Sequence, residues 1–263
     1  VFDRTAGDAK AGFKRGMSGI FECINCGNVT TRNYTAEQAT NVGLGTVQTA
    51  VVCEGKNGRV YLPAAYSPMP TDLPHPDING LTVELSPNPR DVWCRNFGLN
   101  TPADLFTPRQ LVALTTFSDL VQQAQEKAIY DAKAFGLTDD GIGLDHGGTG
   151  AQAYGEALAV YLLFAINKGA NLWSTITSWM SDRGAFRETF ARQAIPMVWD
   201  FAEANPFSSS GGNLLTAIDK GRMAIEYLPS QNNGHVLQQD GASQATSQNK
   251  VISTYPPYYD NIG

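Results

Sequence analysis

The first part of the chain alternates between short β-type runs and turn residues. Residues 46–54 are rich in Val and Thr, and residues 60–62 resume this pattern after an Asn57-Gly58 pair, which is typical of a tight turn. This pattern predicts a β-hairpin. Residues 63–102 contain most of the prolines and show little periodicity, so they predict a long irregular connection.

Helical spacing of apolar residues begins after this connection. Thr107 as a cap and Pro108 in the first turn predict the start of a helix that ends at Gly136. A Gly-rich turn over residues 139–150 leads into a second helix, predicted over residues 151–179. Because apolar residues surround most of its circumference, this second helix is expected to be central to the core.

Two further helices are predicted before the pattern changes again. Residues 184–204 predict the third, interrupted by Pro196, and Asn213 is the expected cap of the fourth. Residues 235–240 and 250–255 are then short β-type runs. A helix followed by such runs indicates an α/β pattern, in which strands end in functional loops.

The composition is typical of a globular protein with a sizeable core. Hydrophobic residues make up 42% of the chain and charged residues 17%. The longest apolar run, residues 157–166, is shorter than the ~20 residues of a membrane span, so we expect no membrane partner and a cytoplasmic location. Because the chain begins at Val1 and runs straight out of a motif, we expect a fragment that works with an upstream part of the same polypeptide.

The net charge of the chain limits how it can contact nucleic acid. A formal charge of -6 argues against binding through the overall field of the protein. Two local groups of basic residues are exceptions, namely Lys10, Lys14 and Arg15, and Arg183, Arg187 and Arg192 in the predicted third helix. Each group is interpreted either as a solvated face or as a local contact for DNA.

A stiff aromatic loop follows the last β-type run. In Tyr255-Pro256-Pro257-Tyr258, the two prolines restrict the backbone and remove two of its hydrogen-bond donors. An aromatic residue directly after such a loop offers a flat face on which a nucleobase can rest once it has left its stack. Methylation of an exocyclic amine requires this kind of platform.

This motif and several longer strings resemble one family. Residues 251–263 are similar to the catalytic loop of adenine-specific DNA methyltransferases that contain a zinc ribbon, and the resemblance extends to residues 58–63, 105–111 and 192–207. It implies S-adenosylmethionine as the methyl donor and the N6 amine of adenine in DNA as the substrate. It also implies a role in restriction-modification or phage defence, and a long insertion ahead of the catalytic loop.

The resemblance implies roles for individual residues. Tyr258 falls at the base-stacking position, and Pro256 and Pro257 shape the loop. Asp240 falls where an acidic or polar residue commonly meets the adenosine part of the donor. The alternatives are an ordinary turn residue for Asp240 and, for Tyr258, an aromatic ring packed under a loop.

Position 255 departs from the family pattern. The family has Asp, Asn or Ser there, whose short side-chain oxygen accepts a hydrogen bond from the target amine. Tyr255 instead places a phenol further out, which is neutral near pH 7 because its unperturbed pKa is ~10. We therefore predict impaired catalysis. The alternative functions are a non-catalytic DNA-binding or target-recognition module and a purely structural helical insertion.

Donor and metal sites are incomplete in the sequence. No Gly-rich fingerprint follows a β-run and opens a helix, so the donor-binding motif is expected upstream. Cys23 and Cys26 form one CxxC knuckle, whereas a zinc ribbon needs two. Three interpretations stay open: a zinc site of Cys23, Cys26, Cys53 and Cys94, a site completed by upstream residues, and a relic without metal.

Together these patterns predict an α/β fold with four parts. Residues 1–65 are a small β-rich CxxC module, residues 66–104 a Pro-rich connection, and residues 105–230 a mostly helical insertion. Residues 231–263 are expected to contribute strands to a Rossmann-like methyltransferase sheet that ends in the catalytic loop.

Overall fold

The computed structural model describes residues 14–16, 19–23, 25–88, 90–191, 194–228 and 236–255. Over these ranges the fold is mixed α/β, with four α-helices and three separate two-stranded antiparallel sheets. None of the described helices is both long enough and apolar enough to cross a membrane.

The N-terminal part combines two hairpins and one helix. Strands β1 (Lys14–Arg15) and β2 (Ile20–Phe21) pair with each other, and β3 (Ala50–Gly55) pairs with β4 (Gly58–Pro63) in the predicted hairpin. Helix α1 (Arg32–Val42) lies between the hairpins and was not predicted. The Thr31 hydroxyl accepts a hydrogen bond from the N–H of Tyr34, which is a typical helix start.

The Pro-rich connection is irregular, as predicted, and its end enters the core. Two 3-10 turns, Trp93–Phe97 and Ala103–Leu105, lie in this region. Cys94 and Leu105 are buried with Val92 and Ile176 in one apolar cluster. The connection therefore contributes buried side chains as well as linking the N-terminal part to the helices.

Three helices pack together in the middle of the chain: α2 (Pro108–Ala134), α3 (Ala151–Ala170) and α4 (Leu214–Glu226). The predicted start of α2 is confirmed, and it forms a capping box in which Thr107 and Gln110 bond each other's backbone N–H.

Helices α2 and α3 are consecutive along the chain and run antiparallel. Gly155 near the start of α3 meets Ile129 near the end of α2, and Val121 of α2 packs in one cluster with Ala159 and Ile166 of α3. Leu214, the first residue of α4, packs against the same cluster and completes it.

The predicted end of α3 was wrong, because the helix ends at Ala170 instead of residue 179. The helix is central to the core on one side, where Ala159 and Ile166 are buried, but its other side is uncovered. Tyr154, Leu163 and Phe164 are exposed, because α2 and α4 cover only part of its circumference. An all-round apolar pattern thus marked a helix with an uncovered face.

The predicted helix over residues 184–204 is also wrong. Strands β5 (Ser178–Met180) and β6 (Ala185–Arg187) form a hairpin there, and Arg183 and Arg187 lie on it instead of on a helix. Between β6 and residue 204 the described residues form no helix, and Ile195 bridges to Val92 while Phe201 bridges to Ser178. Contacts with residues distant in the sequence replace the helical hydrogen bonds.

The predicted Rossmann-like sheet is not confirmed. Residues 236–240 and 250–255 form no strand, and turns between them use the local backbone groups. Val236 and Val251 are fully exposed. Strands need a hydrogen-bonding partner, and the described part of this segment pairs with none.

Candidate functional site

The CxxC pair lies in a tight turn that follows β2. The N–H of Cys23 donates to the carbonyl of Asn28 at 2.8 Å, and the N–H of Gly27 donates back to the carbonyl of Cys23 at 2.8 Å. Glu22 and Val29 form a bridge across the base of the turn. Gly27 has a φ of +70°, which glycine adopts without strain. These hydrogen bonds hold the backbone of Cys23 against Gly27 and Asn28.

The same turn favours the thiolate form of Cys23. The backbone N–H of Asn25, then that of Cys26, and then the Cys26 side chain form hydrogen bonds that lower the pKa of Cys23 below its ordinary value. Cys26 is exposed and Cys23 partly so, which makes both sulfur atoms accessible. A thiolate supported by backbone N–H groups fits one half of a zinc ribbon.

Cys53 and Cys94 do not complete a four-cysteine site in this structure. Cys53 lies on β3 opposite Val60, and Cys94 is fully buried in the apolar cluster with Leu105. Burial raises the pKa of Cys94 to about 11, which opposes the thiolate that zinc requires. The residues that the structure describes include no group of three or more His, Cys, Asp or Glu able to hold a metal ion. Zinc bound by Cys23 and Cys26 with further ligands stays a prediction.

Asp240 lies in an exposed turn instead of at the end of a strand. Its side chain accepts a hydrogen bond from the N–H of Ala242 at 2.9 Å, and its carbonyl accepts from Ser243 and Gln244. These are the bonds of an ordinary Asx turn. The neighbouring Val236 and Leu237 are exposed, so this segment by itself does not enclose a nucleoside. The predicted contact with S-adenosylmethionine stays a prediction.

The predicted catalytic loop is only partly described. Tyr255 is 86% exposed and is the last described residue of the chain. Pro256, Pro257 and Tyr258 lie outside the described residues.

The β3–β4 hairpin contacts the β5–β6 hairpin, and this contact was not predicted from the sequence. The guanidinium carbon of Arg59 on β4 lies 5.5 Å from the centre of the Trp179 ring on β5. The indole N–H of Trp179 donates to the hydroxyl of Tyr61 at 3.3 Å. Side chains alternate between the two faces of a strand, so residues 59 and 61 lie on the same face of β4. The sequence therefore indicated that these two side chains could share a contact. The partner strand was predicted as helix, so the contact could not be foreseen.

Two aspartates shape the loop between α2 and α3 through hydrogen bonds to backbone N–H groups. The Lys133 ammonium group, followed by the N–H of Gly141, lowers the pKa of Asp139. The N–H of Thr149, followed by that of Ile142, lowers the pKa of Asp140. Both carboxylates are therefore used in shaping this loop.

Comparison with family models, with curated proteins and with solved structures gave no significant match to this chain.

Proposed function

We propose that this chain is a segment of an S-adenosylmethionine-dependent DNA methyltransferase acting on N6 of adenine, and that Tyr255 impairs its catalytic loop. The observation that carries the proposal is the Tyr255-Pro256-Pro257-Tyr258 motif. The exposure of Tyr255 supports it, because a loop that receives a nucleobase must be reached from solvent.

The proposed chemistry depends on two groups of the loop. The ring of Tyr258 stacks on the extruded adenine, and the side chain at position 255 accepts a hydrogen bond from the N6 amine. That bond draws the amine proton away and makes the nitrogen a better nucleophile. A carboxylate or amide oxygen at position 255 is short and accepts strongly, whereas the phenol of Tyr255 extends past this position and its ring competes with the base for space.

Two of the strings that resemble the family contact each other in the fold. Within residues 105–111, Arg109 donates from Nε to one oxygen of Glu203 at 3.0 Å and from a terminal nitrogen to the other at 2.6 Å. Glu203 belongs to the string over residues 192–207.

The test of the proposal is a substitution at position 255 in the full-length protein. We expect Tyr255→Asp to raise donor-dependent methylation of adenine in DNA at least tenfold, an effect of about 1.4 kcal/mol on the barrier. Tyr255→Phe is the matched control and should give no increase. Adding Tyr258→Ala to the Asp variant should abolish the gain. An unchanged methylation rate in the Asp variant contradicts the proposal.

A second candidate is a DNA-binding or target-recognition module without catalysis. The observation that favours it is the meeting of Arg59 and Tyr61 with Trp179, which joins cationic and aromatic groups on one surface. DNA binding by the complete Tyr255→Asp protein without any methylation supports this second candidate over the first.

The donor and the metal are tested separately. We expect no specific binding of S-adenosylmethionine to this chain alone by isothermal titration, since its donor motif is expected upstream. Micromolar binding contradicts that expectation. Elemental analysis of the complete protein tests for zinc, and Cys23→Ser should remove it if the knuckle supplies a ligand.

A further inference from the structure

Two hairpins meet at a surface that we call the hairpin junction, formed by Arg59, Tyr61, Trp179, Arg183 and Gly184. Arg59 lies against both the Trp179 ring and the backbone of Gly184, at the turn between β5 and β6. Gly184 has a φ of +59°, and a side chain there would overlap the Arg59 guanidinium group. The absence of a side chain at position 184 thus makes room for this arginine.

The cations of the junction are less neutralised than Arg109 and Arg222. Arg109 and Arg222 are paired with carboxylates through side-chain hydrogen bonds. Arg59 forms no ion pair within the described ranges, although Glu54 lies opposite it in the strand register. Arg183, with its side chain 74% exposed, reaches only the adjacent Asp182, at 3.6 Å.

Aromatic surface lies directly beside these cations. Tyr61 is 45% exposed, and its hydroxyl accepts the hydrogen bond from the Trp179 indole. The Arg59 guanidinium is positioned by the Trp179 ring, which reduces the ordering required to form a bidentate contact. Nucleic-acid surfaces commonly combine cations for the phosphates with aromatic rings beside them.

We propose that the hairpin junction binds the phosphate backbone of duplex DNA. Arg59 and Arg183 contact phosphates, and the exposed ring of Tyr61 packs against the adjoining sugar. The choice of DNA as the partner rests on the proposed function, while the choice of surface rests on the contacts between the hairpins. A local cationic surface is required for this role because the chain carries a net charge of -6.

The test is the salt dependence of DNA binding by the whole chain. A fluorescein-labelled 30-base-pair duplex serves as the probe, and anisotropy titrations in ~50 to 200 mM KCl give the slope of log K against log salt. Each lost phosphate contact should reduce the magnitude of this slope by ~0.9. We therefore expect a reduction of ~0.9 for Arg59→Gln and of ~1.8 for Arg59→Gln combined with Arg183→Gln.

Two further variants separate a specific surface from total charge and from misfolding. Arg90→Gln removes the same charge from a side chain that is 93% exposed and outside both hairpins, and it should leave the slope unchanged. Arg59→Lys keeps the charge and should keep the slope while lowering the affinity, because lysine contacts phosphate as a point charge. Circular dichroism of each variant checks the fold.

The outcomes for the surface and for the function differ. If the double variant binds DNA with an unaltered slope, the hairpin junction is not the DNA-binding surface, and the proposed function is unaffected. An equal change in slope for Arg90→Gln also overturns it, because total charge then explains the binding. If the unaltered chain binds no DNA, the proposal for the surface falls together with the DNA-binding part of the proposed function.

Discussion

Replacing Gly155 with alanine tests how closely α2 and α3 approach each other. Gly155 lies in the first half of α3, where a Cβ atom would overlap Cγ1 of Ile129 and lie 3.1 Å from the carbonyl oxygen of Gln125. Gly221 in α4 is the matched control, because its Cβ would have no atom within 4 Å. The two positions share the helical backbone and differ in their surroundings.

The structure gives opposite signs for the two substitutions. Alanine in place of glycine inside a helix stabilises by ~1 kcal/mol when nothing else changes. At Gly221 no steric overlap opposes this gain in stability. At Gly155 it is opposed by overpacking, which costs ~1 to 3 kcal/mol and is hard to relieve because one neighbour is the backbone of Gln125. We expect Gly155→Ala to destabilise by about 1 kcal/mol and Gly221→Ala to stabilise by a similar amount.

Urea unfolding followed by circular dichroism measures both free energies, and an unchanged denaturant slope shows that the change lies in stability. Ile129→Ala removes the Cγ1 atom that the new methyl group of Gly155→Ala would overlap. The double variant should therefore be more stable than the sum of the two single effects predicts. Equal stabilisation by Gly155→Ala and Gly221→Ala would refute the close approach of the two helices.

Three other predictions concern the core and the cysteines. Arg109→Ala and Glu203→Ala should each destabilise by about 1 kcal/mol, with non-additive effects in a double-mutant cycle, because each removes the same two hydrogen bonds. Thr189→Val should cost ~1 to 3 kcal/mol in urea unfolding, since its buried hydroxyl serves several polar partners. Iodoacetamide near pH 8 should label Cys23 much faster than Cys94, and equal labelling in peptide mass spectrometry would contradict the burial of Cys94 together with the lowered pKa of Cys23.

The raised pKa of Cys94 also predicts a dependence of stability on pH. The buried neutral thiol contributes fully below its ordinary pKa of 9.0, and this contribution is lost as the pH rises toward about 11, because the unfolded chain releases the proton first. Cys94→Ala should remove this alkaline loss in urea unfolding measured from pH 8 to 11. An identical pH profile in the variant contradicts the assignment.

Local signals were reliable where neighbouring residues supply the interactions. Asn57-Gly58 predicted the β3–β4 hairpin, and Thr107 with Pro108 predicted the start of α2. Asn213 caps α4 as expected, by accepting a hydrogen bond from the N–H of Thr216. Each of these bonds joins residues only a few positions apart, so the sequence contains both partners side by side.

Local signals failed where distant residues supply the interactions. Phe186 was interpreted as part of a helix, but it packs on Trp179 with ring centres 5.2 Å apart in a strand pair. Ile195 bridges to Val92, about a hundred positions earlier in the chain. The burial of Cys94 was not predicted for the same reason, because no local pattern shows that Leu105 and Ile176 enclose it.

By itself the sequence determined the starts of α2, α3 and α4, the Asn-Gly turn, the CxxC pair and the loop motif with tyrosine at position 255. Only the tertiary structure decided that Arg59 lies on Trp179, that Cys94 is a core residue and that α3 keeps an uncovered apolar face. The physical reason is that hydrogen bonds of caps and turns close over a few residues. Burial, ion pairing and aromatic contact depend on which distant segments meet.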